Sequence, residues 1–338
     1  MDLNLCKVKT TAPTLLVTWS RLKVTLTHDP KAVPALDSPE VVSHKATTDH
    51  ILQARWSAAK GWEDPQIVPA GSFSLGPSAS AYRGYDGNLR LFRPDPNCVR
   101  MLNSATRVTL PGFHPKELKQ LVHRICAVDG PKWFPRDQAG QSLCIRPTLI
   151  GTGEGLCLHA PREGLLYIIL TTEDMVRAWP GGMGHVKDTA VKSGFDQVLW
   201  LFGPDHQVTE AGAFNFFVVW RTAEGNLQLI TAPLEDQLIL PGVTRRSILE
   251  LARDPLEVVE KRFSIHDIGM TAEQGRLLGA LIVGTAYFIA PVSCIAHGGH
   301  EIDVPVDAVP YASVFWQLMS DIVYGKKQSE WTEVVEEE

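Results

Sequence analysis

Residues 177–245 constrain this chain more than any other stretch. Two strand-type runs, QVLWLFG (197–203) and FNFFVVW (214–220), flank the turn-forming EAG, so they read as neighbouring strands. LPGVTRRSILELA (240–252) follows as a helix entered through Pro-Gly. Upstream, RAWPGGMGHVK (177–187) is a glycine-rich turn running into Lys187. Each piece alone has an ordinary reading, as a loop glycine, a buried strand or a solvated lysine. Their order and mutual spacing carry the information.

At 338 residues the chain has room for two domains with their own cores. A hydrophobic content of 44% and a charged content of 21% are those of an ordinary globular protein. The net charge of −6, with its basic residues scattered, argues against a nucleic-acid partner. No apolar run approaches the roughly 20 residues that a spanning helix needs, which argues against a membrane partner. Six dispersed cysteines without a CxxC pair read as reduced thiols of an intracellular protein, with no disulfide framework and no metal site. The basic, acid-poor residues 1–30 read as a disordered lead-in more readily than as a presequence, so the expected location is cytoplasmic, with mitochondrial as the alternative.

Residues 1–50, rich in Thr, Pro, Lys and Ala, are expected to form an irregular arm. Residues 51–170 are expected to form a smaller α/β domain. It holds an edge strand in ILQARWSAAKGW (51–62), a strand at 88–94 feeding a helix at 97–108, the amphipathic helix PKELKQLVHRICAV (115–128), and two buried strands. Residues 171–338 are expected to form the larger, cofactor-binding domain. Its parts are strands around Leu199, Phe217 and Leu229, a helix over 243–252, an apolar β-rich run at 275–299, and a closing helix that Gly325 ends. The acidic tail EWTEVVEEE (330–338) reads as frayed.

Between Arg55 and Tyr324 the pieces RWSAAKGW, GYDGNLRLFRPDPNCVRML, SLCIRPTLIGT, RAWPGG, QVLWLFGPDHQVTEAG, ILPGVTR, GTA and IVYG occur in one order. Together they resemble the branched-chain aminotransferases, class IV enzymes that use pyridoxal 5′-phosphate. The resemblance implies a two-domain class IV aminotransferase fold of mixed α/β (α+β) type, like that of D-amino acid aminotransferase. It implies transfer of the amino group of leucine, isoleucine or valine to 2-oxoglutarate, with amino acids and 2-oxo acids as substrates and a homodimer as the assembly.

That chemistry asks four things of a protein: a lysine to hold the cofactor aldehyde as a Schiff base, an acid to keep the pyridine nitrogen protonated, and anion sites for the phosphate and for the substrate carboxylate. By resemblance Lys187 is the Schiff-base lysine, and nothing around Lys192 matches. Glu210 in TEAGAFN is the partner of the pyridine nitrogen, where carboxylate and ring cation favour each other's charge. Arg100 in NCVRML binds the phosphate, while Arg93 and Arg107 read as surface or ion-pair residues. Val243 and Thr244 offer free helix-start amides to the same phosphate, and Thr285 adds a hydroxyl. On the substrate side stand Arg146 in CIRPTLIG, alternatively a strand-end arginine, and the amide of Ala286. His206 reads as a loop residue positioning the strand that bears Glu210.

Three blocks are shorter than the family pattern: after Ala81, around 171–182, and between Lys187 and Gln197. A strand lost from within a sheet would leave unpaired backbone groups at roughly 1–3 kcal/mol each. The alternative reading is therefore an impaired paralogue that binds the cofactor or serves as a partner subunit.

Overall fold

The computed structural model describes residues 18–35, 38, 47–70, 79–152, 160–173, 193–254, 256–285, 288–306 and 311–337. A 3-10 turn at Trp19–Arg21 precedes β1 (Lys23–Val24), β2 (Thr47–Ser57), β3 (Gly61–Trp62), β4 (Gln66–Pro69), β5 (Ala79–Arg83) and β6 (Leu89–Phe92). Helices α1 (Pro94–Arg107) and α2 (Pro115–Trp133) come next, then β7 (Ser142–Gly151) and β8 (Glu163–Glu173). The second half holds β9 (Leu199–Phe202), β10 (Gln207–Ala211), β11 (Phe214–Arg221), β12 (Leu227–Thr231), α3 (Val243–Ala252), β13 (Glu257–Glu260) and α4 (Ile265–Glu273). It closes with β14 (Leu277–Gly284), β15 (Phe288–Pro291), the hairpin β16 (Cys294–His297) and β17 (His300–Asp303), α5 (Tyr311–Val323) and β18 (Thr332–Val334).

The first sheet runs β1-β4-β2-β8-β7-β5-β6-β18, with β3 beside β2. All its pairings are antiparallel except β1 with β4. Alternation along β8 explains its unbroken apolar sequence: Leu166, Ile168 and Leu170 join the core shared with α1 and α2, while Leu165, Tyr167 and Ile169 pack on the other face. The second sheet is built around β11, which pairs with β14 along one edge and with β10 and then β12 along the other. Both faces of β11 are covered. Phe217 and Val219 pack under α3 and α5, and Phe216 and Val218 face the core that includes α4. Tyr82 of the first sheet lies in the second sheet's core, its ring 5.9 Å from that of Phe288 and 5.6 Å from that of Tyr324.

Two expectations change. The stretch at 51–62 belongs to an interior strand, because β4 folds back to pair along one side of β2 while β8 takes the other. The acidic tail is not frayed: β18 pairs with β6, and Val335 is buried against the first core. The shortened block between Lys187 and Gln197 and that around 171–182 lie largely outside the described residues; before them, β7 and β8 pair without interruption from Ser142 opposite Glu173 to Gly151 opposite Gly164. The helix over 243–252 forms as expected, and Gly325, at φ +77°, ends the closing segment after α5. Within the expected arm, β1 and the first residues of β2 are strands. Among the described residues no helix is long and apolar enough to cross a membrane.

Candidate active site

β10 and β11 are joined by the two-residue turn Gly212-Ala213, which sets Glu210 directly opposite Asn215. Asn215 Nδ2 donates to Glu210 Oε1 at 2.9 Å and to the carbonyl of Leu240 at 2.9 Å. The amide of Leu240 donates to the same Glu210 oxygen at 3.0 Å. The approach is close enough to dictate Gly242, where a Cβ would lie 2.1 Å from Asn215 Oδ1. Burial pushes the Glu210 carboxyl above its usual range, and the Leu240 amide and the charge of Arg245 offset this only in part. A cationic partner placed beside it would restore the carboxylate.

Gly242 also caps α3, and having no side chain it leaves the first amides of that helix without a side-chain cap. Thr244 and Arg245 are buried in this first turn. Arg245 Nη2 donates to the carbonyl of Ala232 at 2.8 Å and to Glu260 Oε2 at 2.6 Å. Across from α3, Arg100 of α1 donates from Nη2 to Asn97 Oδ1 at 3.0 Å. Asn97 in turn donates to the carbonyl of Arg93 at 3.0 Å.

These elements enclose a cavity of about 1040 Å³ whose lining includes Arg100, Glu210, Leu240, Gly242, Val243 and Arg245. The structure therefore brings three sequence-predicted residues, Arg100, Glu210 and Val243, to one wall system, with Thr244 immediately behind. Thr285 follows β14, whose Val283 is opposite Asn215, so it sits at the same end of the sheet without lining the cavity. Arg146 is on β7 opposite Ile169 and does not line it either. Lys187, Lys192 and Ala286 lie outside the described residues. His206 is in the β9–β10 turn at φ +50°, its ring against those of His266 and His297.

Asn215 and Arg245 were not singled out from sequence. Asn215 was legible in principle, because a two-residue hairpin turn fixes which residue faces Glu210. Arg245 looked like any helix-start arginine; its burial is a tertiary fact.

Arg100 and the free amides at the start of α3 suit a phosphate, and the half-buried carboxylate of Glu210 suits a cationic ring nitrogen. This fold is that of a class IV aminotransferase, and the family described as "Amino-transferase class IV" matches residues 181–295. The mitochondrial branched-chain-amino-acid aminotransferase of Schizosaccharomyces pombe is 37% identical over 91% of this chain and 83% of its own. The cytosolic one of Mus musculus is 36% identical over 88% of each. The branched-chain amino acid aminotransferase of Thermobaculum terrenum, solved in its PLP-form, shares the fold with a TM-score of 0.60 at 18% identity, over 84% of this chain and 98% of that one. The chain belongs to the branched-chain-amino-acid aminotransferase family. The alignment to the S. pombe relative runs to 359 positions, longer than this chain of 338 residues, so the relative carries segments with no counterpart here.

Proposed function

We propose that this protein is a branched-chain-amino-acid transaminase that uses pyridoxal 5′-phosphate to move the amino group of leucine, isoleucine or valine to 2-oxoglutarate. The observation that carries the reading is that the clamped carboxylate of Glu210, Arg100 and the start of α3 all line one cavity. Those residues fit the cofactor: a cation is wanted beside Glu210, and anion donors line the same cavity.

When bound, the cofactor supplies a sink for the electron pair left at the substrate Cα after its proton is removed. In this reading Lys187 holds the cofactor aldehyde and moves that proton. Arg100, the amides of Val243 and Thr244 and the Thr285 hydroxyl bind the phosphate. Glu210 keeps a positive charge on the ring nitrogen, with Asn215 and the Leu240 amide fixing its orientation. Arg146 and the Ala286 amide receive the substrate carboxylate. The amino group passes from the branched amino acid to 2-oxoglutarate, giving a 2-oxo acid and glutamate with no net oxidation. The assembly is a homodimer, located in the cytoplasm or the mitochondrion as its relatives are.

The test is the absorbance spectrum of the purified protein. With pyridoxal phosphate it should show a near-visible band that Lys187→Ala abolishes, together with turnover of leucine and 2-oxoglutarate. A protein that stays colourless after incubation with the cofactor would sink the proposal.

A further inference from the structure

Arg93 was expected to be a surface or ion-pair residue; it is an ion-pair residue, 5% exposed, at a junction of three parts of the chain. It is the residue before α1, held at φ +43° and ψ +58°, a left-handed conformation unfavourable to a side chain with a Cβ. Such a conformation persists only where its surroundings enforce it. Here the enforcing contacts come from far along the chain. The amide of Arg93 donates to the carbonyl of Trp331 at 2.7 Å, and its guanidinium lies 3.8 Å from the centroid of the Trp331 ring. The same guanidinium grips Glu250 of α3 with two prongs, Nη1 to Oε1 at 3.1 Å and Nη2 to Oε2. Glu250 also accepts from Arg246 Nε at 2.8 Å. Burial would raise the Glu250 carboxyl, but the two arginines outweigh it and hold it below its usual range.

Through its backbone Arg93 reaches the cavity by a second route. Its carbonyl accepts from Asn97, whose Oδ1 accepts from Arg100. One residue thus ties the arginine on α1 to the helix that offers its first amides across the cavity. The side chain holds α3 through Glu250, and the backbone holds Arg100 through Asn97.

We infer that Arg93 is a positioning residue for the anion half of the site, fixing Arg100 relative to α3 through Glu250 in that helix's last turn while Trp331 holds the guanidinium flat. The inference rests on the cofactor reading above. Lysine cannot replace this arginine, because an ammonium has neither the two-pronged geometry nor the planar face.

Pyridoxal 5′-phosphate and pyridoxal share a ring and an aldehyde and differ only at the phosphate. The dissociation constant of pyridoxal divided by that of pyridoxal 5′-phosphate, both on cofactor-free protein, therefore isolates the anion site from the rest of the pocket and from overall folding. Arg93→Gln should reduce this ratio at least tenfold, and Arg93→Lys should recover little of it. Because Arg93 is buried and its replacement can unfold the protein, Glu250→Gln is the companion variant. It leaves the stack on Trp331, and although it also takes a carboxylate off the cavity wall, which by charge alone would favour the phosphate, it should still reduce the ratio at least threefold. A ratio unchanged in folded Glu250→Gln and Arg93→Lys, or equal weakening of both ligands alongside a lower Tm, overturns the inference. Wild-type protein that binds neither compound overturns the cofactor reading and this inference with it; normal wild-type discrimination that survives in the variants overturns this inference alone.

Discussion

Arg83 and Glu337, 254 residues apart in the chain, meet in a two-pronged ion pair whose side chains are 0% and 4% exposed. Arg83 Nη1 donates to Glu337 Oε2 at 2.9 Å and to the carbonyl of Gly87 at 2.8 Å, and Nη2 donates to the carbonyl of Gly130. Arg83 belongs to β5, so the contact seals the segment after β18 against the sheet that bears α1. Glu337→Ala strands a buried guanidinium, and removing one partner of such a pair costs roughly 3–5 kcal/mol. Urea unfolding should show that loss as a lower midpoint at constant slope. A midpoint within experimental error of wild type would mean that the pair relaxes into solvent.

Glu210 gives a stability signature in the cofactor-free protein. Its carboxyl is raised by burial, so the folded state holds the proton more tightly than the unfolded state. For an acid shifted this way the penalty is absent in acid, and it develops as pH rises from the ordinary value of 4.5 through the higher folded value. Glu210→Gln has no such penalty. The stability of the variant relative to wild type should therefore grow between acid and neutral pH and then level off, read by urea melts across that window. A difference independent of pH would contradict the assignment of burial as the cause.

The same substitution should act the opposite way on turnover. A neutral amide cannot hold a proton on the ring nitrogen, so Glu210→Gln should lower kcat by about 10²-fold or more, the size typical for losing a preorganised electrostatic partner. Cofactor retention after gel filtration should change far less. Near-normal kcat would remove Glu210 from the mechanism.

Arg100→Ala should weaken binding of pyridoxal phosphate by on the order of 2–3 kcal/mol, the worth of a charge-assisted contact, without unfolding the protein. A cofactor titration beside a thermal melt separates the two effects. Unchanged affinity would place the phosphate elsewhere.

The buried thiols should be inert. Burial pushes Cys98 up to about 12 and raises Cys126 as well, so neither supplies thiolate at neutral pH. Native-state alkylation near pH 8 should leave both unmodified, and unfolding in urea should expose them. Rapid labelling of either in the native protein would show that the first core opens.

The residues that the structure brings to one cavity were legible because they sit at fixed offsets within single elements. Glu210 stands two residues before the turn that ends β10, and Val243 and Thr244 begin a helix announced by Pro-Gly. Such relations depend on local backbone geometry, which the residue types dictate. Arg93 shows the limit. As text it is one of three arginines near the start of α1, and its role follows from Trp331 and Glu250, which reach it only through the fold. The tail was misread for a related reason: five of the nine residues in EWTEVVEEE are glutamates, a composition that does not predict a strand, and pairing with β6 overrides it.

By itself, then, the sequence determined the family and most of the elements, since these follow from periodicity, turn chemistry and motif order along a continuous chain. Only the tertiary structure decided which strands lie inside the first sheet, that the acidic end is buried against Arg83, and that α1 and α3 are tied through Arg93. Those outcomes depend on pairs far apart in sequence, whose charges and aromatic faces are worth little in water and much more once the fold has removed water from around them.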